Sequence, residues 1–327
     1  MKYRKFGRLG WEVSEIGFGG WPLGGQMWGE QSDDDSIAAL HRFLDLGGNF
    51  IDTALGYGKG RSERLIAKAL AGRPGARRVY VATKIPPAPG PWPPSPYCDI
   101  HDRYGESYLR EMLEKSLRNL DTECIDLVQL HTWTRAWNGL PEALETLRRL
   151  QQEGKLIGIG ISLPDLDPDA ANDLMKGGWL DAVQLIYNIF DQDPQAEALP
   201  MAAQHGVGVI VRVPFDEGAL TGKLRPGMTF PEGDFRNGYF AGDRLTRTIA
   251  RVEKIREALG EDEPDLAAAA LKFAMKPAAV STVIPGMRNA RQAGANCAVS
   301  DGPPMSEEVE RRLRLHQWRR GNWYGGK

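Results

Sequence analysis

Four polar side chains stand at or just beyond the ends of short apolar runs, and their types together suit proton transfer. Asp52 ends FID, Lys84 ends VYVATK and His131 ends VQLH. Tyr57 follows Asp52 across a short loop. An ammonium beside a phenol favours the phenolate and lowers the phenol pKa, and a carboxylate keeps the ammonium charged. With an imidazole that donates a hydrogen bond to a carbonyl oxygen, the set predicts a proton donor aimed at an oxygen that becomes negative.

The apolar runs themselves alternate with helical patterns along most of the chain. The predicted strands cover residues 16–19, 50–52, 79–83, 125–130, 156–161, 182–185, 207–213 and 282–284. Runs such as IDLVQL and LIGIGI are almost entirely apolar, which is typical of a strand covered on both faces. Eight such strands with helices between most of them favour an α/β fold of the closed (β/α)8 TIM-barrel type over an open doubly wound sheet.

The intervening segments support a single barrel domain over residues 1–327. Gly7 and Gly10 mark the turn of a β-hairpin at the N-terminus. Apolar residues at helical spacing predict helices over 106–120 and 139–154. The long connections 86–99 and 214–244 predict extra loops or helices at the C-terminal face of the barrel. No repeat or linker indicates a domain boundary.

Further polar and aromatic residues fall near the same strand ends. Ser162, Gln184 and Arg212 stand at or near the ends of three later strands. Because the carboxyl ends of parallel barrel strands face one rim, these side chains are expected to converge with the first four. Indole rings in or near strand-end loops could wall a substrate pocket or be purely structural. These are Trp21, Trp92 and Trp133.

The motifs, taken in order, resemble the aldo-keto reductase superfamily, and in particular its bacterial branches. The segments DTALGYG, LVQLH, GIGIS, QLIYN, GALTGK and IPGMRNARQAGAN carry the resemblance over nearly the whole chain. It implies an NAD(P)H-dependent oxidoreductase that moves a hydride between nicotinamide and an aldehyde or ketone, or the corresponding alcohol, sugars included. It also implies that Tyr57 is the general acid/base, assisted by Lys84, Asp52 and His131.

The same resemblance implies where the dinucleotide binds. Ser162 and Gln184 would hold the carboxamide, and Arg212 stands near where many relatives have a tyrosine stacked on the nicotinamide. The other implied contacts are Gly218, Leu220 and Lys223 at the pyrophosphate, and Gly286, Arg288, Gln292 and Asn296 toward the adenosine end. An arginine beside a 2′-phosphate favours NADP(H), with NAD(H) possible. Leu163 and Ala295 depart from the usual family residues at this site and bear on that preference.

Composition narrows the partners. A net charge of −2 gives no basic surface for nucleic acid or an anionic membrane. No signal peptide or membrane-spanning run is visible, and three scattered cysteines predict no disulfide framework, which fits the cytoplasm. The expected partner is a small carbonyl or alcohol substrate. The oligomeric state, the physiological substrate and the direction of the reaction stay open.

Two other functions compete with this interpretation. A metal-dependent barrel hydrolase or isomerase needs clustered ligands, but the five histidines form no HxH or HExxH pair, so we expect no metal site. An NADP-binding regulatory or redox-sensing subunit with little turnover would keep the cofactor site. A panel of aldehydes and ketones distinguishes a sensor from an enzyme.

Overall fold

Eight parallel strands form a closed barrel in the computed structural model, which describes residues 1–25, 27–73, 77–139 and 141–318. Two further strands form an antiparallel hairpin at the N-terminus. The hairpin strands are β1 (Tyr3–Phe6) and β2 (Trp11–Ser14). The barrel strands are β3 (Phe18–Gly19), β4 (Phe50–Asp52), β5 (Tyr80–Ile85), β6 (Ile125–Leu130), β7 (Leu156–Ser162), β8 (Ala182–Ile186), β9 (Gly208–Arg212) and β10 (Val280–Val283).

The barrel closes between its first and last strands. The strands neighbour one another in sequence order from β3 to β10. Parallel bridges join Ile16 to Val283 and Gly19 to Gly286, and the Gly17 N–H donates to the Val283 carbonyl at 2.8 Å. The predicted (β/α)8 barrel with an N-terminal hairpin is therefore confirmed.

Helices cover the outside of the barrel, and their ends follow capping chemistry. Ser32, for example, accepts a hydrogen bond from the Asp35 N–H at the start of the first helix. The helices are α1 (Asp33–Asp45), α2 (Arg61–Leu70), α3 (Ile100–Tyr104), α4 (Glu106–Leu120), α5 (Glu142–Gln152), α6 (Asn172–Lys176), α7 (Ala198–Gln204), α8 (Arg236–Tyr239), α9 (Arg244–Leu259), α10 (Leu266–Met275), α11 (Ala290–Asp301) and α12 (Glu307–Arg314). None of the helices in the described ranges is long and apolar enough to cross a membrane.

Element boundaries agree with the sequence in some places and differ in others. The predicted strands 50–52 and 125–130 and the helix 106–120 match β4, β6 and α4. The strand predicted over 79–83 runs on through Lys84, because Lys84 pairs in register with Gln129 of β6. The helix predicted over 139–154 is α5, and Leu140 lies outside the described residues.

The hairpin closes the amino-terminal end of the barrel. Phe6 is fully buried and stacks on Phe50, with ring centroids 5.4 Å apart. Gly7 has a φ of +45°, and a Cβ there would lie 2.4 Å from the Gly208 nitrogen. Only glycine allows the turn to approach β9 this closely. The open end of the barrel is thus the opposite one, where the strands finish.

Candidate active site

The inside of the barrel changes from apolar to polar between one layer of side chains and the next. Residues two apart on a strand point to the same face. The apolar layer contains Phe50, Ala82, Leu127, Ala182 and Ile210, which pack in one buried cluster. The residues two positions further along the same strands are Asp52, Lys84, Gln129, Gln184 and Arg212. A floor of hydrocarbon therefore carries a ring of polar groups at the carboxyl ends of five strands.

Lys84 lies at the centre of the polar ring. Its Nζ donates to Asp52 Oδ2 at 2.6 Å, to the Thr53 carbonyl at 2.9 Å and to the Tyr57 hydroxyl at 3.4 Å. The side chains of Lys84 and Asp52 are 1% and 3% exposed. The carboxylate partner and the further oxygen contacts compensate this buried ammonium for the water that it loses on folding.

Two glutamine amides hold the other oxygen of Asp52. The Gln184 Nε2 donates to Asp52 Oδ1 at 2.7 Å, and the Gln129 Nε2 approaches it at 3.3 Å. Gln129 was not predicted as a site residue. Its signal was present, since it follows Leu127 by two residues on a strand whose alternate side chains face the barrel interior. The carboxylate is therefore fixed on both oxygens.

Tyr57 stands above this pair at the end of the loop after β4. Tyr57 is half-buried, protein atoms crowd around its hydroxyl, and this burial raises the pKa of Tyr57 above its ordinary value. The Lys84 ammonium lowers the pKa of Tyr57, as expected from the sequence, but burial outweighs it. Tyr57 is therefore protonated at neutral pH, which suits a proton donor.

His131 joins the same group from the end of β6. Its ring lies 5.7 Å from the Tyr57 ring, edge to face. Burial first, and then the charges of Lys84 and Arg212, hold the pKa of His131 well below its ordinary value. The imidazole is therefore neutral near pH 7, with one N–H that can donate. The four residues that the sequence singled out for proton transfer lie together at one rim.

Aromatic side chains form a wall beside Tyr57. The Trp21 ring is 6.3 Å from the Tyr57 ring, and Trp92 lies 5.5 Å from the His131 ring. Trp133 does not join them, because it is fully buried and its indole N–H donates to Asn138. Sequence reasoning missed Trp28 and Phe235, which pack 5.4 Å and 5.0 Å from Trp21. Phe235 comes from the long connection after β9, and no local pattern pairs it with Trp21.

The groups expected at the carboxamide lie next to the polar ring. Ser162 is buried at the end of β7, and its hydroxyl has no hydrogen-bond partner within the described ranges. Gln184 donates to Asp52, which leaves its Oε1 as an acceptor. Arg212 donates to the Leu163 carbonyl and to Asp165, while its buried Nε has no partner. These free donors and acceptors fit an amide-bearing ring.

The loop after β9 contains an unusual run of left-handed backbone. Val213, Asp216 and Glu217 have positive φ, followed by Gly218 at +96°. Nothing lies within 4 Å of a Cβ built on Gly218, so space remains beside it. Lys223 is exposed and forms no ion pair with any described residue. The Leu220 side chain is fully buried, so only its backbone could face a ligand.

The segment after β10 supplies the remaining predicted contacts. Gly286 is exposed at the closing seam of the barrel, and the Arg288 N–H donates to Gln292 Oε1 at 2.8 Å. Asn296 is one turn further along α11 and is only 8% exposed. Its amide makes no hydrogen bond to the described part of the chain. An arginine, a free ammonium and a free amide along one rim make a donor set that fits a phosphate-bearing dinucleotide.

Comparison with known proteins finds one family that matches nearly the whole chain. A model described as the aldo/keto reductase family matches residues 15–316. The oxidoreductase YqkF of Bacillus subtilis, which is uncharacterized, is 29% identical over 97% of this chain and 96% of its own length. The NADH-specific methylglyoxal reductase of Escherichia coli is 28% identical over 91% of this chain and 93% of its own.

A solved structure of an oxidoreductase superimposes on nearly the whole chain. The glycerol dehydrogenase of Gluconobacter oxydans superimposes with a TM-score of 0.78 at 26% identity, covering 96% of this chain and 94% of that one. The family match spans nearly every described element, from the end of the hairpin to α12. The resemblance inferred from ordered motifs is therefore confirmed. The chain belongs to the aldo/keto reductase family and is an NAD(P)H-dependent oxidoreductase that acts on carbonyl or alcohol groups.

Proposed function

We propose that Tyr57 is the general acid in carbonyl reduction and the general base in alcohol oxidation. The observation that carries the proposal is the buried chain of contacts from Asp52 through Lys84 to the Tyr57 hydroxyl. A phenol with a raised pKa holds its proton until an acceptor of sufficient basicity forms beside it. The adjacent ammonium then stabilises the phenolate that remains.

Each neighbour of Tyr57 has a distinct part in the proton transfer. A nicotinamide held by Ser162 and Gln184 would supply the hydride for reduction and take it up in oxidation. Lys84 neutralises the phenolate, and Asp52, held by two amides, keeps Lys84 charged and in place. The neutral His131 donates a hydrogen bond to the substrate oxygen and orients it toward the Tyr57 hydroxyl.

The dinucleotide would lie along the strand ends, from the polar ring to α11. Ser162 and Gln184 would hold the carboxamide, and the Arg212 guanidinium would lie beside the nicotinamide ring. Gly218, the Leu220 backbone and Lys223 would contact the pyrophosphate. Gly286, Arg288, Gln292 and Asn296 would take the adenosine end, with Arg288 favouring NADP(H) over NAD(H). NAD(H) is the second candidate cofactor, and the name of the NADH-specific relative from Escherichia coli supports testing it.

The substrate would be a small aldehyde or ketone, or the corresponding alcohol, sugars included. Trp21 and Trp92 flank Tyr57 and His131 and would wall the pocket, with Trp133 buried outside it. The relatives named for methylglyoxal and for glycerol act on small oxygenated molecules, which supports the same size class here.

A substrate panel tests this function. The purified chain is mixed with NADPH or NADH and with methylglyoxal, glyceraldehyde, aromatic aldehydes and simple ketones, and oxidation of the cofactor is followed by absorbance. The reverse direction is assayed with glycerol and NADP⁺ or NAD⁺. We expect turnover of at least one small carbonyl. Tight cofactor binding without turnover of any compound would instead favour a regulatory or redox-sensing subunit.

A further inference from the structure

The guanidinium of Arg288 is held by a segment from the other side of the closing seam. Its Nε donates to Gln31 Oε1 at 2.8 Å, and its Nη2 donates to the Glu30 carbonyl at 2.5 Å. In return, the Gln31 Nε2 donates to the Arg288 carbonyl at 2.7 Å. Gln31 therefore binds both the side chain and the backbone of Arg288.

Gln31 is also held in place by residues other than Arg288. Its Nε2 also donates to the Ser36 hydroxyl at 3.1 Å, and Ser36 is fully buried on the first turns of α1. The backbone carbonyl of Gln31 accepts a hydrogen bond from Arg61 Nη2 at 2.7 Å. With its amide and its carbonyl both anchored, Gln31 acts as a rigid support for Arg288.

The support leaves one edge of the guanidinium available. Arginine has a side edge formed by Nε and Nη2 and an end edge formed by Nη1 and Nη2, and either edge can grip two oxygens of a phosphate. Gln31 and Glu30 occupy the side edge. Nη1 has no hydrogen bond to any residue that the structure describes, so the end edge stays open.

Nearby carboxylates do not take that edge. Asp33 is paired with Arg61. Asp234 accepts three hydrogen bonds from Arg236, one from the backbone N–H at 3.0 Å and two from the guanidinium at 2.9 and 2.6 Å. The charge of Arg288 is therefore directed by amide and carbonyl groups, which orient it without neutralising it.

We propose that Gln31 is a specificity-determining residue that presents the end edge of Arg288 to the 2′-phosphate of NADP(H). This inference rests on the proposed cofactor site. Gln31 would act through Arg288 rather than touch the phosphate, so its loss weakens ligands that carry a 2′-phosphate and spares those that lack it.

The test measures binding of two fragments that carry no nicotinamide. Calorimetric titration of the full chain with 2′,5′-ADP and with 5′-AMP isolates the contribution of the 2′-phosphate. We expect Gln31→Ala to weaken 2′,5′-ADP about fivefold, the equivalent of one ordinary hydrogen bond, and to leave 5′-AMP unchanged. Gln31→Glu should weaken 2′,5′-ADP further, because a carboxylate neutralises Arg288 as well as binding it. Gln204→Ala, the same change at an exposed position at the end of α7, should alter neither.

Two outcomes separate the failure of this inference from that of the cofactor proposal. If Gln31→Ala binds 2′,5′-ADP as tightly as the wild type, or more tightly, while Arg288→Ala weakens it, the role of Gln31 is wrong and the cofactor site stands. If Arg288→Ala leaves 2′,5′-ADP binding unchanged, the preference for NADP(H) fails with it. Gln31→Glu keeps the side-chain size, so it decides the matter if Gln31→Ala does not fold.

Discussion

In the proposed mechanism, Lys84 combines a structural and a chemical role in one buried side chain. It neutralises Asp52, which would otherwise be a buried carboxylate held only by amides, and it contacts the Tyr57 hydroxyl. Removing one partner of such a pair leaves an uncompensated charge, which costs about 3–5 kcal/mol. We therefore expect both stability and turnover to depend on Lys84, so that a single substitution cannot separate them.

A pair of variants does separate them. Lys84→Met should lower both the free energy of unfolding and turnover, the latter by roughly a hundredfold or more. Its residual oxidation activity should need a higher pH, because loss of the cation raises the pKa of Tyr57 further. Adding Asp52→Asn removes the stranded charge and should restore stability but not turnover. Recovery of turnover in the double variant, measured by steady-state kinetics, would contradict the role of Lys84.

The low pKa of His131 predicts how the stability of the fold depends on pH. Its folded-state pKa lies well below its ordinary value, so the folded chain binds this proton less readily than the unfolded chain does. The stability that the neutral ring contributes is then complete above about pH 6.5, the unfolded value, and is lost as the pH falls toward the lower folded value. Nitrogen NMR of the labelled protein, assigned with His131→Gln, should show a neutral ring at pH 6. A protonated ring at pH 6 would contradict this.

How much of the site the sequence predicts depends on whether each residue carries a local signal. Asp52, Lys84 and His131 end apolar runs, and the closing of a parallel barrel brings such ends together. Gln129 follows the same alternation but stands inside a run that reads as core. Phe235 and Gln31 meet Trp21 and Arg288 only through long connections, so their partners depend on the folded loops and not on any spacing in the chain.

The position of the N-terminal hairpin depends on close backbone contact between its turn and the start of β9. Gly7 combines a positive φ with a backbone approach to Gly206 and Gly208 that leaves no room for a side chain. Gly7→Ala should therefore lower the free energy of unfolding by about 2–4 kcal/mol, from the strained φ and the overlap together. Gly238→Ala is the matched control, because it is helical and has no neighbour within 4 Å of the added Cβ. Equal stability of the two variants in denaturant unfolding would contradict the packing of the hairpin.

The predicted strand ends match the structure where the apolar run and the hydrogen-bonded pairing with the next strand stop at the same residue. β4 ends at Asp52 in the prediction and in the structure. β5 instead continues through Lys84, because a charged residue can stay paired in the sheet when its side chain finds partners inside the barrel. In the same way, the connection 214–244 contains α8, a single turn stabilised by contacts with Trp28 and Phe230 that composition does not reveal.

At the scale of the molecule, barrel closure makes the strands mutually dependent. The N-terminal hairpin, the first barrel strand and the last barrel strand contact one another around the seam. We therefore propose that residues 1–327 form one domain and expect one cooperative thermal transition by calorimetry. Gly19→Ala, whose Cβ would lie 2.5 Å from the Ile284 carbonyl at the seam, should lower the temperature of that transition as a whole. Two separable transitions would contradict a single domain.

The sequence predicted the architecture more fully than the site for a physical reason. Strand count, alternation with helices and burial on both faces are properties of many residues at once, so single exceptions do not alter them. The direction of a hydrogen bond, such as that from Gln184 to Asp52, depends on one rotamer in one packed layer.

The measurement that tests the proton path most directly is single-turnover kinetics of Tyr57→Phe. The variant keeps the ring and its contact with Trp21 but lacks the hydroxyl that reaches Lys84. Cofactor binding, followed by quenching of tryptophan fluorescence, should be unchanged, while carbonyl reduction should slow by about 10²–10⁴-fold. Reduction at the wild-type rate with unchanged cofactor binding would show that the proton comes from another group.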